Sequence, residues 1–445
     1  MATNTPLMTY YGDDLTGSTD VMEALSSHGV PTVLFTAIPD ASQLARFADC
    51  RAFGLAGTSR SESPAWMIDH LTPALKWLRS LDADFCHYKT CSTFDSAPEV
   101  GSIGRALEIG RDLYAQPCVP LVVGAPQLRR YTAFGHLFAA AQGKVHRIDR
   151  HPIMSRHPVT PMHEADLRRH LSHQTALDIG LVDLISLTAN DIDAWVDDWQ
   201  HQHEALLYDV LDHASQTAVG RQLWRTRRPE GNFVVGSSGV EYALLQEWRR
   251  QELIGAPPVF KNPGAMERIA VVSGSCSETT AQQIRWAQEN GFRTIGIEAS
   301  RLANEDTAES ARKESTEQAL AALRDGQSVI LYTALGPDSS GRQLDSEQAR
   351  HGIGRGLGQI LRELVVQEGL RRVVVAGGDT SSHALHQLGI HALTTCLPLL
   401  ETPGSPLCIA HSDNPVFDGL EIAFKGGQIG TDAYFGKIRD ADSSG

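Results

Sequence analysis

Two adjacent carboxylates, Asp13 and Asp14, stand in the run Tyr11-Gly12-Asp13-Asp14-Leu15-Thr16-Gly17-Ser18, between an apolar stretch and a helical one. In open parallel sheets ligands bind at the carboxyl ends of strands, beside the helix starts that follow. Paired acids there can hold sugar hydroxyls and take a proton from one of them, as a phosphoryl acceptor site requires. As a plain turn, the same run would use Asp14 or Thr16 to cap the helix. Ser273-Gly274-Ser275-Cys276-Ser277 occupies the equivalent place further along the chain. Backbone N–H groups and hydroxyls at a helix start form an anion site, or simply a capped turn. Gly377-Gly378-Asp379-Thr380 is the stronger phosphate candidate: paired glycines admit a phosphate to the backbone, and the acid beside them can hold Mg²⁺. Leu335-Gly336-Pro337 follows another apolar strand, and Lys425-Gly426-Gly427 reads as a hairpin turn.

Several alternatives lack their signatures. No Gly-x-x-x-x-Gly-Lys-Ser/Thr occurs, since the Gly-Lys pairs are Gly143-Lys144-Val145 and Gly436-Lys437-Ile438. Gly352, Gly354, Gly356 and Gly358 miss the dinucleotide spacing and read as close packing at a helix start. His163-Glu164 does not extend to a zinc motif, and His170 and His173 read as an exposed helix face. Cys91 invites a nucleophile reading, but no feature marks a partner base and a buried thiol is the commoner fate.

The elements that must carry these turns repeat one grammar of apolar strand, small polar loop, amphipathic helix, glycine and strand. Leu7 to Tyr11, a helix from Thr19 to Ser27 and Thr32 to Thr36 form one such unit. Ile269 to Val272, Thr280 to Glu289 and Thr294 to Ile297 form a second. Arg372 to Ala376 and Ser381 to Leu388 form a third, closed by Gly389. The expected fold class is α/β, with two α/β domains built on mainly parallel sheets. Prolines at 257, 258 and 263 put the boundary at Gly255 to Ala265, giving domains 1–255 and 266–445 with 256–265 as linker. Arg225 to Asn232 reads as a solvated basic loop and Ala303 to Arg324 as an exposed helix.

Composition narrows the class. The 445 residues hold 39 Lys plus Arg against 53 Asp plus Glu, a net charge of -14 that argues against nucleic acid. No uncharged apolar stretch approaches the roughly 18 residues of a membrane span. The N-terminal run lacks the features of a secretory signal, and seven scattered cysteines without a CxxC pair read as reduced thiols. The expectation is a soluble cytoplasmic protein.

With those pieces assembled, the chain resembles the four-carbon acid sugar kinase family, which phosphorylates small sugar acids with ATP. The likeness runs through GDDLTGSTD (Gly12 to Asp20), TSRS (Thr58 to Ser61), HPVTPMHEADLRRHL (His157 to Leu171), VVSGSCSETTAQQI (Val271 to Ile284), AGGDTSSHAL (Ala376 to Leu385), TPGSPL (Thr402 to Leu407) and KGGQIG (Lys425 to Gly430). The resemblance implies a sugar-acid domain, a nucleotide domain and an active-site cleft between them. It assigns Asp13, Asp14, Arg60, Lys89, Cys91 and Ser92 to the acid sugar. Ser275, Gly336, Gly377, Gly378, Asp379, Thr380, Gly426 and Gly427 face ATP, with Mg²⁺ near Asp379.

One stretch departs from the family pattern. Where many members read Lys-x-Asp-Ser-Thr-Leu-Arg-Gly, this chain reads Lys89-Thr90-Cys91-Ser92-Thr93-Phe94-Asp95-Ser96. An acid has become Cys91 and the arginine position is Asp95. The implied acceptor is an oxo or branched sugar acid, 3-oxo-isoapionate-like, with a rearranged pocket for a tetronate as the competing reading. In the implied mechanism Arg60 pairs with the acceptor's carboxylate. Asp14 is the first choice of base, with Asp13 its alternative. A non-catalytic ligand-binding regulator and a nicotinamide-dependent oxidoreductase are the readings from other classes, and a homo-oligomer is left open.

Overall fold

The computed structural model describes residues 5–141, 143–157, 159–337, 347–399, 402, 404–427 and 429–442, without the side chains of residues 347 and 379. Pro158, Pro403 and Gln428 of the motifs above lie outside the described residues. Two compact units divide the chain, Met1–Pro258 and Val259–Gly445. The division falls inside the proline-rich segment 256–265.

The first unit runs β1 (Met8–Gly12), α1 (Leu15–Ser27), β2 (Thr32–Phe35), α2 (Ala41–Ala45), β3 (Ala52–Ala56), α3 (Pro64–Ser80), β4 (Phe85–Lys89), α4 (Ile103–Leu113) and β5 (Val119–Val122). There follow β6 (Arg130–Ala133), β7 (His136–Ala141), β8 (Lys144–Arg147), α5 (Leu167–Ser172), β9 (Ile179–Val182), α6 (Ile192–Gln202), β10 (Ala205–Tyr208), α7 (His213–Arg225), β11 (Asn232–Gly236) and α8 (Gly239–Arg250). Eight strands pair in the order β2-β3-β1-β4-β11-β5-β10-β9, all parallel. Their runs, such as Met8-Thr9-Tyr10-Tyr11 and Thr32-Val33-Leu34-Phe35, are buried throughout, as a parallel sheet covered on both faces requires. The remaining strands make a small antiparallel sheet, β6-β7-β8, which the sequence did not announce.

The second unit runs β12 (Ala270–Ser273), α9 (Glu278–Glu289), β13 (Arg293–Gly296), α10 (Ala299–Ala303), α11 (Glu305–Arg324), β14 (Val329–Tyr332), α12 (Glu347–Glu368), β15 (Arg372–Ala376) and α13 (Gly378–Leu388). It closes with β16 (Ile390–Leu397), β17 (Leu407–Ser412), β18 (Glu421–Lys425) and α14 (Tyr434–Asp440). Strands pair in the order β13-β14-β12-β15-β18-β17-β16, where β17 alone runs antiparallel to its neighbours. One core cluster joins Ile269, Val271, Ile330 and Val374 of the sheet to Ile284, Tyr434 and Phe435 of the helices.

Three local expectations are corrected. The glycine run lies inside α12 rather than at its start, where a side chain at Gly354 would strike the His383 ring at 2.4 Å. Packing is therefore its role. The turn after β18 leads to α14, so Lys425-Gly426-Gly427 is not a hairpin. Helix α11 buries Ala311, Ala319 and Leu323 along one face and is exposed only on the other.

At the amino end of β15 the fully buried Arg372 staples the second unit. Its guanidinium donates to Glu421 Oε2 at 2.6 Å, to the carbonyls of Ile438 and Arg439 at 3.0 and 2.8 Å, and to the Gly264 carbonyl at 2.8 Å. One side chain thus ties β15, β18, the end of α14 and the segment entering the unit. Removing one partner of a buried ion pair typically costs about 3–5 kcal/mol. Arg372→Met should destabilise the unit by that order in urea unfolding. Arg372→Lys should restore only part, because an ammonium cannot span the same fork. An unchanged midpoint in Arg372→Met would refute the staple.

Candidate active site

Every strand-to-helix turn of a parallel sheet emerges at the same edge, so β1, β3, β4, β5 and β11 deliver their following residues together. Backbone bonds stitch those turns: Asp13 N to the Lys89 carbonyl at 2.9 Å, Arg60 N to the Asp13 carbonyl at 3.1 Å, and Thr90 N to the Gly236 carbonyl at 2.7 Å. A side chain at Gly12 would stand 1.9 Å from Ser18 Oγ, which requires glycine where β1 turns into α1. Asp14 is the N-cap of α1, its Oδ1 accepting from Gly17 N at 2.5 Å. Capping pulls Thr16, Gly17 and Ser18 into the first helical turn, four residues ahead of the start expected at Thr19.

Arg60 lies between two acids. Its Nη2 donates to both Asp95 oxygens at 3.0 and 2.9 Å, and its Nη1 reaches Asp14 Oδ2 at 3.4 Å. Asp95 is buried and also accepts from Thr93 Oγ1 at 2.5 Å and Thr160 Oγ1 at 2.8 Å. Burial would raise the Asp95 pKa, but Arg60 and the two hydroxyls outweigh it and hold the carboxyl below its usual range. Burial likewise opposes the Arg60 charge; Cys91, Asp95, Asp14 and Asp13 overcome it and raise its pKa. Lys89, 2 % exposed, pairs with Asp20 at 3.3 Å. Its pKa is raised despite burial by Asp20, Asp13, Cys91 and Asp14.

Asp13 behaves differently. It is 5 % exposed and its Oδ1 is buried with no hydrogen-bond partner. Burial first, then the neighbouring Asp14 charge, push its pKa up to about 7, against the pull of Arg60 and Lys89. Cys91 is half-buried and accepts from Thr93 Oγ1 at 2.9 Å, with half-buried Ser92 on the same turn. Asp13, Asp14, Arg60, Lys89, Cys91 and Ser92 therefore share one edge. Asp95 joins them. His170, expected on an exposed face, is buried, with Nε2 at 2.8 Å from Ser96 Oγ, and burial lowers its pKa to about 4.

The second unit gathers a set of glycines and hydroxyls at the same edge of its own sheet, with no ion pair among the described residues of these turns. Gly274 N donates to the Ala376 carbonyl at 3.0 Å and Gly377 N to the Lys425 carbonyl at 2.9 Å, joining the turns after β12, β15 and β18. Gly377 has φ +111°, a conformation reserved for glycine, and caps α13. A Cβ at Gly274 would stand 2.2 Å from Thr380 Oγ1, while one at Gly378 would meet open space. Ser275 Oγ lies 3.0 Å from Thr280 Oγ1, and Ser277 Oγ contacts the Gly427 carbonyl. Ser275, Gly377, Gly378, Thr380, Gly426 and Gly427 are thus neighbours on adjoining turns. Gly336 sits on the turn after β14, where a Cβ would stand 2.9 Å from Glu278 Oε2 at the start of α9. Asp379 is the second residue of α13 and its side chain lies outside the described residues.

Sequence reasoning missed Lys425. Fully buried, its Nζ donates to Thr280 Oγ1 at 2.8 Å and to the Gly426 carbonyl at 2.9 Å, and among the described side chains no carboxylate pairs with it. Burial lowers its pKa to about 7. A lysine directly after the apolar strand Glu421-Ile422-Ala423-Phe424, ahead of paired glycines, was the available signal. Among the described residues, no group of three or more His, Cys, Asp or Glu could hold a metal ion. No helix of the described residues is long and apolar enough to cross a membrane.

Comparison with known proteins places this geometry. Residues 8–244 match the family model of a sugar-binding N-terminal domain and residues 270–435 that of a nucleotide-binding C-terminal domain. The chain is 45% identical to a 3-oxo-isoapionate kinase of Paraburkholderia graminis, covering 99% of this chain and 95% of that protein. It is 30% identical to a 3-oxo-tetronate kinase of Pseudomonas fluorescens, covering 97% and 96%. A crystal structure described as a putative tRNA synthase from Salmonella typhimurium LT2 shares the fold, with a TM-score of 0.79 at 23% identity over 98% of this chain and 99% of that one. A Haemophilus influenzae protein does so with a TM-score of 0.71 at 23% identity over 97% and 99%. A sugar-binding half and a nucleotide-binding half, matched in order and at full length by curated kinases, put this chain in the four-carbon acid sugar kinase family.

Proposed function

We propose that this kinase moves the terminal phosphoryl group of ATP to a hydroxyl of a 3-oxo sugar acid, with a 3-oxo-isoapionate-like acid favoured over 3-oxo-tetronate. The observation that carries the reading is Asp13: a buried carboxylate with a donor-free oxygen, poised near neutral pH between cations at the edge where ligands bind. The substrate preference is supported by the 45% identity to a 3-oxo-isoapionate kinase and by the exchanges at Cys91 and Asp95.

Phosphoryl transfer depends on alignment and charge neutralisation more than on covalent chemistry. In this reading the first unit holds the acceptor and the second holds ATP. Asp13 takes the hydroxyl proton as the new P–O bond forms and ADP leaves. Asp14, already spent on the α1 cap and on Arg60, orients that hydroxyl; this geometry favours Asp13 over Asp14 as base. The Gly377-Gly378 backbone, Ser275 and Thr380 line the phosphates, with Gly426 and Gly427 beside them and Gly336 at the flank. Mg²⁺ takes most of its ligands from phosphate oxygens and water, so a single protein acid, Asp379, suits it better than a full metal cage. When bound, it neutralises charge on the phosphates.

Two outcomes test this reading. A base with a pKa near 7 gives activity that rises with pH through about 7 in the wild type. Asp13→Asn should lower kcat by about 10²- to 10⁴-fold and abolish that limb. Asp14→Asn keeps a capping side chain and should cost less than Asp13→Asn; the reverse order in ADP-release assays would return the base role to Asp14. Linkage gives an independent reading. The folded pKa of Asp13 lies above its unfolded value, so the stability carried by its neutral form is complete below about pH 4 and lost as pH rises to about 7. Asp13→Asn should therefore raise the melting temperature more at pH 8 than at pH 5.

Lys425 supplies the second test. With its pKa lowered to about 7 it is largely neutral at pH 8, and a triphosphate beside it favours the charged form. ATP binding at pH 8 should take up a proton, measured by calorimetry in buffers of different ionisation heat, and Lys425→Met should remove that uptake. Identical uptake in the variant would exclude Lys425 as its source.

A further inference from the structure

The acceptor is an anion, and a carboxylate is best held by a guanidinium with free donors. Three cations meet at the carboxyl edge of the first unit, and two are already committed. Both terminal nitrogens of Arg60 face protein acids, Asp95 and Asp14, and Lys89 is buried against Asp20. Arg130 is the third. Its Nη1 donates only to the carbonyls of Leu128 and Arg129, at 3.0 and 3.3 Å. Its Nε is buried without a hydrogen-bond partner. Among the described residues no carboxylate pairs with it.

The loop that carries Arg130 is built to hold it still. Ala125 and Arg130 exchange both backbone bonds, at 2.9 and 3.1 Å, around a tight turn at Pro126–Leu128. Arg129 closes that turn at φ +56°, in the left-handed region. Thr132, two residues on, is locked to Val210 by bonds of 2.8 and 2.7 Å. Arg130 thus leaves the carboxyl end of β5, the edge that also carries Asp13, Arg60 and Cys91. Burial and then Arg129 oppose its charge, while Cys91 and Tyr131 favour it. Cys91 favours the charges of Arg60 and Lys89 too. A half-buried guanidinium held by two carbonyls, with its Nε unpartnered, is undercompensated, and an arriving carboxylate relieves that cost.

We propose that Arg130 binds the carboxylate of the acceptor acid, the role that Arg60, clamped by Asp14 and Asp95, is not free to fill. The assignment rests on the sugar-acid reading above and deepens it: the substrate class is an acid whose carboxylate reaches the turn after β5, with its hydroxyl at Asp13. Arg60 becomes a positioning residue that fixes the two acids flanking it. This replaces the pairing of Arg60 with the substrate carboxylate expected from the sequence.

The test compares 3-oxo-isoapionate and 3-oxo-tetronate with their methyl esters, in the full-length wild type and in Arg130→Met and Arg130→Lys. Losing a charged hydrogen-bond partner should raise KM for the acids about 10- to 150-fold in Arg130→Met. KM for ATP should stay within about twofold, and Arg130→Lys should recover part of the loss. The wild type should prefer acid to ester by a similar factor, and Arg130→Met should lose that preference, which a merely structural role would not produce. An unchanged acid KM, or an acid-over-ester preference retained in Arg130→Met, overturns the assignment. Calorimetric binding of the acids without ATP separates the two readings. Acids that bind the wild type but not Arg130→Met, with no ADP release from either, would uphold Arg130 and sink the kinase reading.

Discussion

Parallel strands send every strand-to-helix turn to one edge of a sheet, and this constraint governs both units. The core rejects polar groups, so they collect where the chain leaves it: Asp13, Arg60, Cys91 and Asp95 in one unit, Ser275, Gly377 and Lys425 in the other. The opposite edge is used for stability alone, as Arg372 illustrates by tying strand starts to a helix end. A substitution at one edge should therefore read as chemistry, and at the other as folding.

The two edges solve opposite electrostatic problems. In the first unit the buried charges nearly compensate one another: Arg60 with Asp95 and Asp14, Lys89 with Asp20. Among the groups left short of partners are an acid, Asp13, and a cation, Arg130. In the second unit hydroxyls and carbonyls surround the buried Lys425, which pairs with no carboxylate among the described side chains. Sites that must accept charged ligands leave such groups unsatisfied in the free protein, because a fully satisfied site would gain little on binding. The net charge of -14 makes this local arrangement necessary, since the long-range field repels both anionic substrates.

The sequence disclosed most where one element type dominates. Arg372-Val373-Val374-Val375-Ala376 could hardly be anything but a buried strand, and Gly389, at φ +64°, ended its helix as expected. Helix starts were read late at Thr19, Thr280 and Ser381, because Thr, Gly and Ser have low helix propensity and only caps and tertiary contacts draw them in. The small sheet of β6 to β8 escaped notice because its strands carry Arg130, His136, Lys144 and His146 among their apolar residues. Within the site, motif residues were legible by spacing. Arg130 and Lys425 were not, since what distinguishes them is burial without a carboxylate partner among the described side chains, and no one-dimensional pattern records that. His170 failed for the converse reason: a polar residue at helical spacing looks exposed until Ser96 and Gln174 are found against it.

The exchanges at Cys91 and Asp95 are best understood as one change of charge. Against the pattern Lys-x-Asp-Ser-Thr-Leu-Arg-Gly, Cys91 removes one negative charge, while Asp95 removes a positive and adds a negative, so the turn carries one more negative charge. An anionic acceptor would be bound less well unless that charge were neutralised inside the protein. Arg60 does so: its Nη2 donates to both Asp95 oxygens, and Thr93 and Thr160 complete the carboxylate's partners. The consequence falls on the remaining cations, because an arginine spent on Asp95 is lost to the substrate. An acid at position 91, ionised at neutral pH, would favour the Arg130 charge more than Cys91 does. On the proposal that Arg130 holds the acceptor's carboxylate, this pair of exchanges would move the anion's docking point from the turn after β3 to the turn after β5. On that proposal a bulkier or branched acid is accommodated, because its carboxylate sits elsewhere while its reacting hydroxyl stays at Asp13.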